Sequence, residues 1–168
     1  MNQLFVDTVR AAGGNNAVRN LVCNTYAASA YAPALQNFKL PTDAATDHLI
    51  AQVHIYSPDR FAVTGDWITN PTSVWDASCV NELDGIMSRL NQYVVQKGIP
   101  LIVGEFGAVD KNNETDRAAF AYDFVSKAKT YGITCFWWDD GGDYKLLDRR
   151  SLTWFFPQIV NGLVNGSK

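Results

Sequence analysis

Four short apolar runs constrain the fold of this chain more than any other feature of its sequence. The runs are nearly continuous rather than strictly alternating, and they read RNLVCNTY (19–26), LIAQVHIY (49–56), PLIVGEF (100–106) and ITCFWWD (133–139). Parallel strands that are covered on both faces give runs of this kind. The runs therefore predict four buried parallel strands.

Segments with helical periodicity separate the predicted strands. Four helices are expected, one ending near residues 13–16 and the others over 76–97, about 113–131 and about 151–163. Asn113 or Thr115 could cap the third helix. The segments 27–48 and 57–75 each follow a strand and are expected to be long loops. Strands that alternate with helices indicate an α/β fold with right-handed crossovers, here as a single domain over residues 1–168.

Charge and composition exclude several classes of partner. The formal net charge is −3 and the basic residues are scattered, which argues against nucleic acid and anionic membranes as partners. No apolar run approaches the roughly 20 residues that span a bilayer, and the start MNQLFVDTVR does not resemble a signal peptide. The three cysteines form no CxxC pair and the two histidines lack metal-ligand spacing, so no metal site is expected.

Polar and aromatic residues gather where the predicted strands end. Because parallel strands end at the same edge of a sheet, and active sites of α/β folds lie at that edge, these side chains are expected to share a site. The alternative is a polar rim whose groups satisfy one another. The candidates are Asn24, Tyr26, His54, Tyr56, Glu105, Trp137, Trp138, Asp139 and Asp140.

This set of residue types suits glycoside hydrolysis. That reaction needs two carboxyl groups, one to protonate the leaving oxygen and one to attack the anomeric carbon or activate water. An attacking carboxylate must stay ionised, and His54 and Tyr56 could donate hydrogen bonds to Glu105 for that purpose. Trp138 could stack under a sugar ring. Without such neighbours, Glu105 would be read as a structural carboxylate in an ion pair.

Four motifs in order carry a family resemblance. VRAAGGNNAVRNLVCNTYAAS, VHIYSP, GEFG and CFWWDDG closely resemble the corresponding segments of glycoside hydrolase family 5 endoglucanases, or cellulases. The resemblance implies a retaining (β/α)8 barrel that acts on β-1,4-glucans without metal or cofactor and is usually secreted. It matches Glu105 to the nucleophile, His54 and Tyr56 to the pair that positions it, and Trp138, or less well Trp137, to the aromatic platform.

The same resemblance places this chain in the second half of the barrel, over strands five to eight. The family's acid/base glutamate lies in an Asn-Glu-Pro motif after strand four, and this chain contains no such motif. Half a barrel would expose two strand edges and an apolar face. A homodimer, a longer precursor or a truncation with repacked edges could each account for that, and the homodimer is favoured. Asp139 or Asp140 of a second copy could then donate the proton, unless this pair caps a turn.

Two functions follow from these observations. The first is endo-β-1,4-glucanase activity with Glu105 as nucleophile. The second is a crippled half-barrel that binds β-glucan without efficient turnover. Asn24, Tyr26 and Trp67 are further candidates for sugar contacts, although Tyr26 could instead pack under the 27–48 loop.

Overall fold

The computed structural model describes all residues, 1–168, and its main elements follow the predicted alternation. The helices are α1 (Asn2–Ala11), α2 (Ala32–Gln36), α3 (Asp59–Ala62), α4 (Ala77–Tyr93), α5 (Glu114–Thr130) and α6 (Pro157–Gly166). The strands are β1 (Leu21–Ser29), β2 (Leu49–Ile55), β3 (Leu101–Phe106), β4 (Thr134–Trp137), β5 (Leu147–Asp148) and β6 (Thr153–Trp154).

Strands β1 to β4 form one parallel sheet in sequence order, β1-β2-β3-β4. This arrangement confirms the predicted α/β fold with four parallel strands. Each of the three pairings shifts register near its carboxyl end, between Val53 and His54 in the case of β2 and β3. The irregular end of the sheet is thus the end that carries the polar residues.

One face of the sheet packs against the helices and forms the core. Ala51, Val53 and Ile55 point to this side from β2, and they belong to a cluster of 20 buried residues that also includes Leu83 of α4 and Phe124 of α5. The alternation of buried and half-buried residues along β2 follows directly from the period of two in a strand. Helix α4 begins at an Asp76 cap, whose carboxylate accepts a hydrogen bond from the Cys79 backbone N–H at 2.8 Å.

The opposite face of the sheet carries no helix. Val22, Ile50, Ile102 and Phe136 lie on it in successive strands, and Phe136 is 52% exposed. We call this surface the open face. Strands β1 and β4 each pair on one side only, so both edges of the sheet are unpaired. An apolar open face with two free edges is the surface that half a barrel presents.

The last helix begins later than the sequence suggests. Residues expected to open it instead form a short antiparallel hairpin, in which Leu147 pairs with Trp154 and Asp148 with Thr153. The Asp148 carboxylate accepts a hydrogen bond from the Arg150 backbone N–H at 2.8 Å and holds the turn. Helix α6 then starts at Pro157, because proline has no N–H to lose at a first helical position.

The two segments predicted as loops contain the single-turn helices α2 and α3. Asn113 precedes α5 as expected, but its side chain does not cap the helix. Its amide oxygen instead accepts a hydrogen bond from the Lys111 backbone N–H, and its amide nitrogen donates to the Ser73 carbonyl. No helix is both long enough and apolar enough to cross a bilayer.

A bidentate ion pair ties α1 to the 37–48 loop. Arg10 donates from Nε and Nη2 to the two carboxylate oxygens of Asp43, at 2.8 and 2.7 Å. Its Nη1 donates to the carbonyls of Asn16 and Arg19. The hydrogen bonds from Arg10 lower the pKa of the Asp43 carboxyl to about 2, against about 3.9 in an unfolded chain.

This pair gives stability a dependence on acid pH. A carboxyl whose pKa is depressed by folding stabilises the native state above its unfolded pKa, and the effect is lost as pH falls toward the folded value. We therefore expect the contribution of Asp43 to the free energy of unfolding to fall between about pH 4 and pH 2, and Arg10→Met to reduce the slope over that range. Urea denaturation at stepped pH measures it. Arg150→Met, at an exposed arginine, should keep the wild-type slope; an unchanged slope in Arg10→Met would contradict the assignment.

Candidate active site

The strand ends bring His54 and Glu105 side by side. In the parallel pairing of β2 with β3, these two residues are register partners after the shift that follows Val53. Both project at the carboxyl edge of the sheet, where the side chain of Glu105 is 25% exposed and that of His54 29% exposed. The sequence-predicted neighbours of Glu105 therefore do lie beside it.

The carboxylate of Glu105 is held through one oxygen. The Tyr56 hydroxyl donates a hydrogen bond of 2.8 Å to Oε2, and Nδ1 of His54 lies 3.3 Å from the same atom. Oε1 has no hydrogen-bond partner in the protein. Two supports on one oxygen fix the plane of the group and leave the other oxygen available for chemistry.

Gln52 sets the orientation of the histidine. Its amide nitrogen donates to Oδ1 of Asn24 at 2.8 Å and lies 3.2 Å from Nε2 of His54. In the neutral ring, an amide N–H donor at this position selects the tautomer in which Nε2 is the unprotonated nitrogen. The ring proton is then on Nδ1, the atom that faces Glu105. Within the row, the Gln52 amide nitrogen thus faces both Oδ1 of Asn24 and Nε2 of His54, and the other ring nitrogen of His54 faces Glu105.

The tyrosine beside Glu105 is strongly biased toward its protonated form. Burial raises the pKa of the Tyr56 hydroxyl, and the hydrogen bond to the Glu105 carboxylate raises it further. Ionisation would place two negative oxygens within hydrogen-bond distance of each other. Tyr56 therefore acts as a hydrogen-bond donor to Glu105 throughout the usual pH range.

The two glycines that flank Glu105 make room for protein side chains. A Cβ atom at Gly104 would lie 2.4 Å from the Gln52 amide, and one at Gly107 would lie 3.0 Å from the ring of Tyr144. The first distance is a clash, and the second is tighter than ordinary packing. The GEFG motif thus admits the supports of the site on both sides of Glu105.

The two neighbouring tryptophans have different environments. The ring of Trp137 packs edge-on against Phe106 at 5.4 Å between centroids, and its Nε1 donates to the Tyr144 carbonyl at 3.0 Å. It therefore belongs to the helix side of the sheet. Trp138 is 41% exposed, and its backbone N–H donates to the Phe106 carbonyl at 2.8 Å. Of the two, Trp138 has the free ring that a sugar platform needs.

The carboxylate of Asp139 is occupied by its own loop. It accepts hydrogen bonds from the backbone N–H groups of Gly141, Leu146 and Leu147 and from Arg149 Nη1. Burial raises the pKa of Asp139, but these donors outweigh it and the pKa lies below its usual range. A group in this state holds a turn and is poorly suited to donate a proton.

Asp140 is also used within the loop. Its Oδ1 accepts from the backbone N–H groups of Gly142 and Tyr144, at 2.7 and 3.2 Å. The geometry of both aspartates favours turn capping over the proton-donor role considered for them. The reason is local: a loop with two successive glycines exposes backbone N–H groups, and the nearest carboxylates satisfy them.

The remaining candidates lie around the same edge. Asn24 is on the open face in contact with Gln52. Tyr26, on β1, is 86% exposed, and Trp67, in the loop after α3, is 70% exposed. The indole of Trp67 lies close to Gly65, whose φ of +149° helps the loop fold back on itself. Tyr26 and Trp67 thus present aromatic surface to solvent.

Lys111 anchors the loop that carries Trp67. Its ammonium donates to three backbone carbonyls, those of Arg60, Phe61 and Thr72, at 3.1, 2.8 and 3.1 Å. Burial lowers the pKa of Lys111. The side chain behaves like a bound cation in a cage of carbonyl oxygens and joins both ends of the 63–71 segment to the β3–α5 connection.

We expect Lys111→Met to destabilise the protein by about 2–4 kcal/mol, because it leaves three carbonyl groups without their donor. Urea denaturation measures the loss. Lys97→Met removes an exposed lysine of the same length and should cost less than about 0.5 kcal/mol. Equal stability of the two variants would show that water replaces the ammonium without cost.

Sequence reasoning missed three supporting residues. Gln52 precedes His54 by two positions on a predicted strand, so the period of two alone could have placed it on the same face. Tyr144 and Lys111 gave no such signal, since both lie in irregular segments and make their contacts only through tertiary packing.

Comparison with known proteins agrees with this geometry. The family model described as cellulase (glycosyl hydrolase family 5) matches residues 1–143. Endoglucanase B of Neocallimastix patriciarum is 41% identical over 172 residues, an alignment that covers 99% of this chain and 35% of that protein. The chain therefore spans about a third of this curated relative.

Solved structures give the same result at the level of the fold. A broad specificity GH5-4 endoglucanase from Ruminococcus champanellensis with bound cellotriose superposes with a TM-score of 0.88 at 39% identity, over 99% of this chain and 48% of that one. A GH5 lichenase from Caldicellulosiruptor sp. F32 superposes with a TM-score of 0.91 at 39% identity, over 99% and 48%. Coverage of about half of each barrel fits the open face and free edges of the sheet. Shared sequence, fold and arrangement of strand ends show that this chain belongs to glycosyl hydrolase family 5, the cellulases.

Proposed function

We propose that this chain supplies the nucleophile half of a retaining endo-β-1,4-glucanase. The observation that carries the proposal is the state of Glu105: Tyr56 and His54 approach Oε2, and Oε1 is unpaired. In the first step, Oε1 attacks the anomeric carbon and forms the glycosyl–enzyme bond while the bond to the leaving oxygen breaks. The leaving oxygen takes a proton from an acid, and water later releases the sugar with net retention.

The substrate class follows from the exposed aromatic residues and from the relatives. Trp138 would stack against the sugar ring next to the cleaved bond, and Asn24, Tyr26 and Trp67 would contact neighbouring rings. The relatives are named as endoglucanases and a lichenase, and one was solved with cellotriose. A polymeric β-1,4-glucan is therefore the proposed substrate, which also implies an extracellular site of action.

The proton donor is the missing part. No Asn-Glu-Pro motif is present, and the carboxylates of Asp139 and Asp140 cap their own loop. The chain alone should therefore cleave only bonds whose leaving group needs no protonation. This observation also favours the second candidate function, a half-barrel that binds β-glucan and does not turn over the natural polymer.

We propose that a second half-barrel covers the open face, and that the isolated chain uses a second copy of itself. Val22 and Phe136 expose apolar surface there, and a groove of about 1370 Å³ runs along the free edge of β1, lined in part by Asn24, Tyr26 and Phe38. Sedimentation equilibrium should give twice the 18.6 kDa mass of the chain. Phe136→Asp should shift the mass to that of a monomer, whereas Phe155→Asp, on the hairpin side, should not.

The activity test compares two substrates. The chain alone should release the phenol from an aryl β-cellobioside and leave carboxymethylcellulose intact. Adding the part of the R. champanellensis enzyme that this chain does not match should restore cleavage of the polymer, since that part supplies the missing strands. Retention of configuration is read by NMR of the first-formed product. Binding of cellotriose without release of phenol in either preparation would leave only the binding function.

A further inference from the structure

We propose that Tyr144 is a positioning residue that holds Tyr56 against Glu105. The inference rests on the proposed role of Glu105 but concerns a residue on a different segment, the 139–146 loop. Tyr144 lies in that loop 88 positions after Tyr56 in the chain and meets it only in the folded protein.

Tyr144 contacts the site through its ring. The rings of Tyr144 and Tyr56 meet edge to face, with centroids 5.3 Å apart and planes inclined at 65°. The same ring fills the space above Gly107, two residues after Glu105. The Tyr144 hydroxyl lies 3.5 Å from the Ala62 carbonyl, at the long limit of a hydrogen bond. Tyr144 therefore touches both the donor to Glu105 and the backbone that carries Glu105.

The loop around Tyr144 is built to hold that ring in place. Asp140 accepts a hydrogen bond from the Tyr144 backbone N–H, and the Tyr144 carbonyl accepts one from the indole of Trp137. Asp139 accepts from Leu146 and Leu147, just beyond. The two aspartates thus fix the backbone on either side of Tyr144.

The effect on Glu105 is indirect. A tyrosine with one free ring face could swing its hydroxyl away from Oε2, because a phenol ring has several allowed rotamers. Contact with Tyr144 restricts Tyr56 to the rotamer that donates to Glu105. Removing the Tyr144 ring should loosen the hydrogen bond without changing any group that touches the substrate.

The first test reads this hydrogen bond without turnover. The full chain is labelled with carbon-13 tyrosine, and the Cζ resonance of Tyr56 is identified because Tyr56→Phe removes it. Glu105→Gln then gives the chemical shift of this resonance when the hydrogen-bond acceptor carries no charge. Tyr144→Leu should move the resonance at least halfway toward the Glu105→Gln position. Tyr144→Phe, which keeps the ring, and Tyr122→Leu, on the exposed side of α5, should leave it unmoved.

An unmoved resonance in folded Tyr144→Leu would overturn the proposal. If Tyr144→Leu does not fold, Asp140→Ala decides instead, because it removes the hydrogen bond to the Tyr144 backbone and keeps both tyrosine rings. The Tyr56 resonance should then move in the same direction, and no movement would again overturn the proposal.

The second test asks whether Tyr144 acts through Tyr56. In the preparation that cleaves aryl β-cellobioside, Tyr144→Leu should lower kcat by about tenfold, the scale of one weakened hydrogen bond, with KM changed less than about twofold. The double variant Tyr56→Phe with Tyr144→Leu should be no slower than Tyr56→Phe alone. Multiplicative losses would refute the mechanism. If Glu105→Gln still turns over the substrate, the proposed role of Glu105 is wrong. The NMR test of the contact between Tyr144 and Tyr56 remains valid in that case, because it does not depend on turnover.

Discussion

Glu105→Ala should lower kcat for aryl β-cellobioside by at least about a thousandfold, the scale seen when an essential nucleophile is removed. The side chain of Glu105 is 25% exposed at the edge of the sheet, so its loss should remove chemistry and leave the fold intact. Tyr56 and His54 would remain in place around the vacated position. The expected phenotype is therefore a folded protein that binds cellotriose and does not release phenol.

Added azide distinguishes a nucleophile from any other role of Glu105. In Glu105→Ala the small anion can enter the space of the missing carboxylate and attack the anomeric carbon once, giving a glycosyl azide of inverted configuration. Restored phenol release with the inverted azide product confirms the assignment. Restored release with a product of retained configuration would contradict it. Glu82→Gln, at an exposed carboxylate of α4, is the matched control and should keep wild-type kcat.

The sequence predicted which edge of the sheet carries Glu105, but it did not predict all of the side chains that hold Glu105 in place. Strand runs and their polar ends predicted that His54 and Glu105 would meet, because parallel strands in register bring their carboxyl ends together. The glycines of GEFG make room for Gln52 and Tyr144, which depends on side chains from β2 and from a loop near the end of the chain.

The aspartates after β4 show why position alone does not give a role. Asp139 and Asp140 follow a strand end, which is where a catalytic carboxyl would lie. Whether a carboxylate is available depends on which N–H groups surround it, and those come from residues 141–147 in a turn that no periodicity predicts. The hairpin of β5 and β6 escaped prediction for the same reason, since two-residue strands carry no repeat.

Arg117, on α5, joins the segment that follows β3 to the start of α6. The guanidinium is fully buried, and its Nε donates to the Ala108 carbonyl at 3.0 Å. It lies 4.6 Å from the ring centroid of Phe156, and Nη1 lies 3.7 Å from Asp110. Neither terminal nitrogen has a hydrogen-bond partner in the protein. Burial lowers the pKa of Arg117, so this cation is held at an energetic cost.

That environment predicts an order of stability among variants. Arg117→Ala should lose about 3–5 kcal/mol, because it opens a cavity beside Phe156 and leaves the Ala108 carbonyl unpaired. Arg117→Lys should lose about 2–4 kcal/mol, since a compact ammonium cannot stack on the aromatic ring and is harder to desolvate. Arg117→Met keeps the length and the apolar contacts but, like Arg117→Ala, leaves the Ala108 carbonyl unpaired, and should lose about 1–2 kcal/mol.

Urea denaturation of the three variants tests this order, with Arg19→Ala as the exposed control that should change stability by less than about 0.5 kcal/mol. If Arg117→Met is as unstable as Arg117→Ala, the charge itself stabilises the fold, and the attraction of Asp110 for the guanidinium outweighs desolvation. If the predicted order holds, packing against Phe156 is the main contribution. The packing of the buried Arg117 side chain then keeps the segment after Glu105 in place, and the charge of Arg117 contributes little to stability.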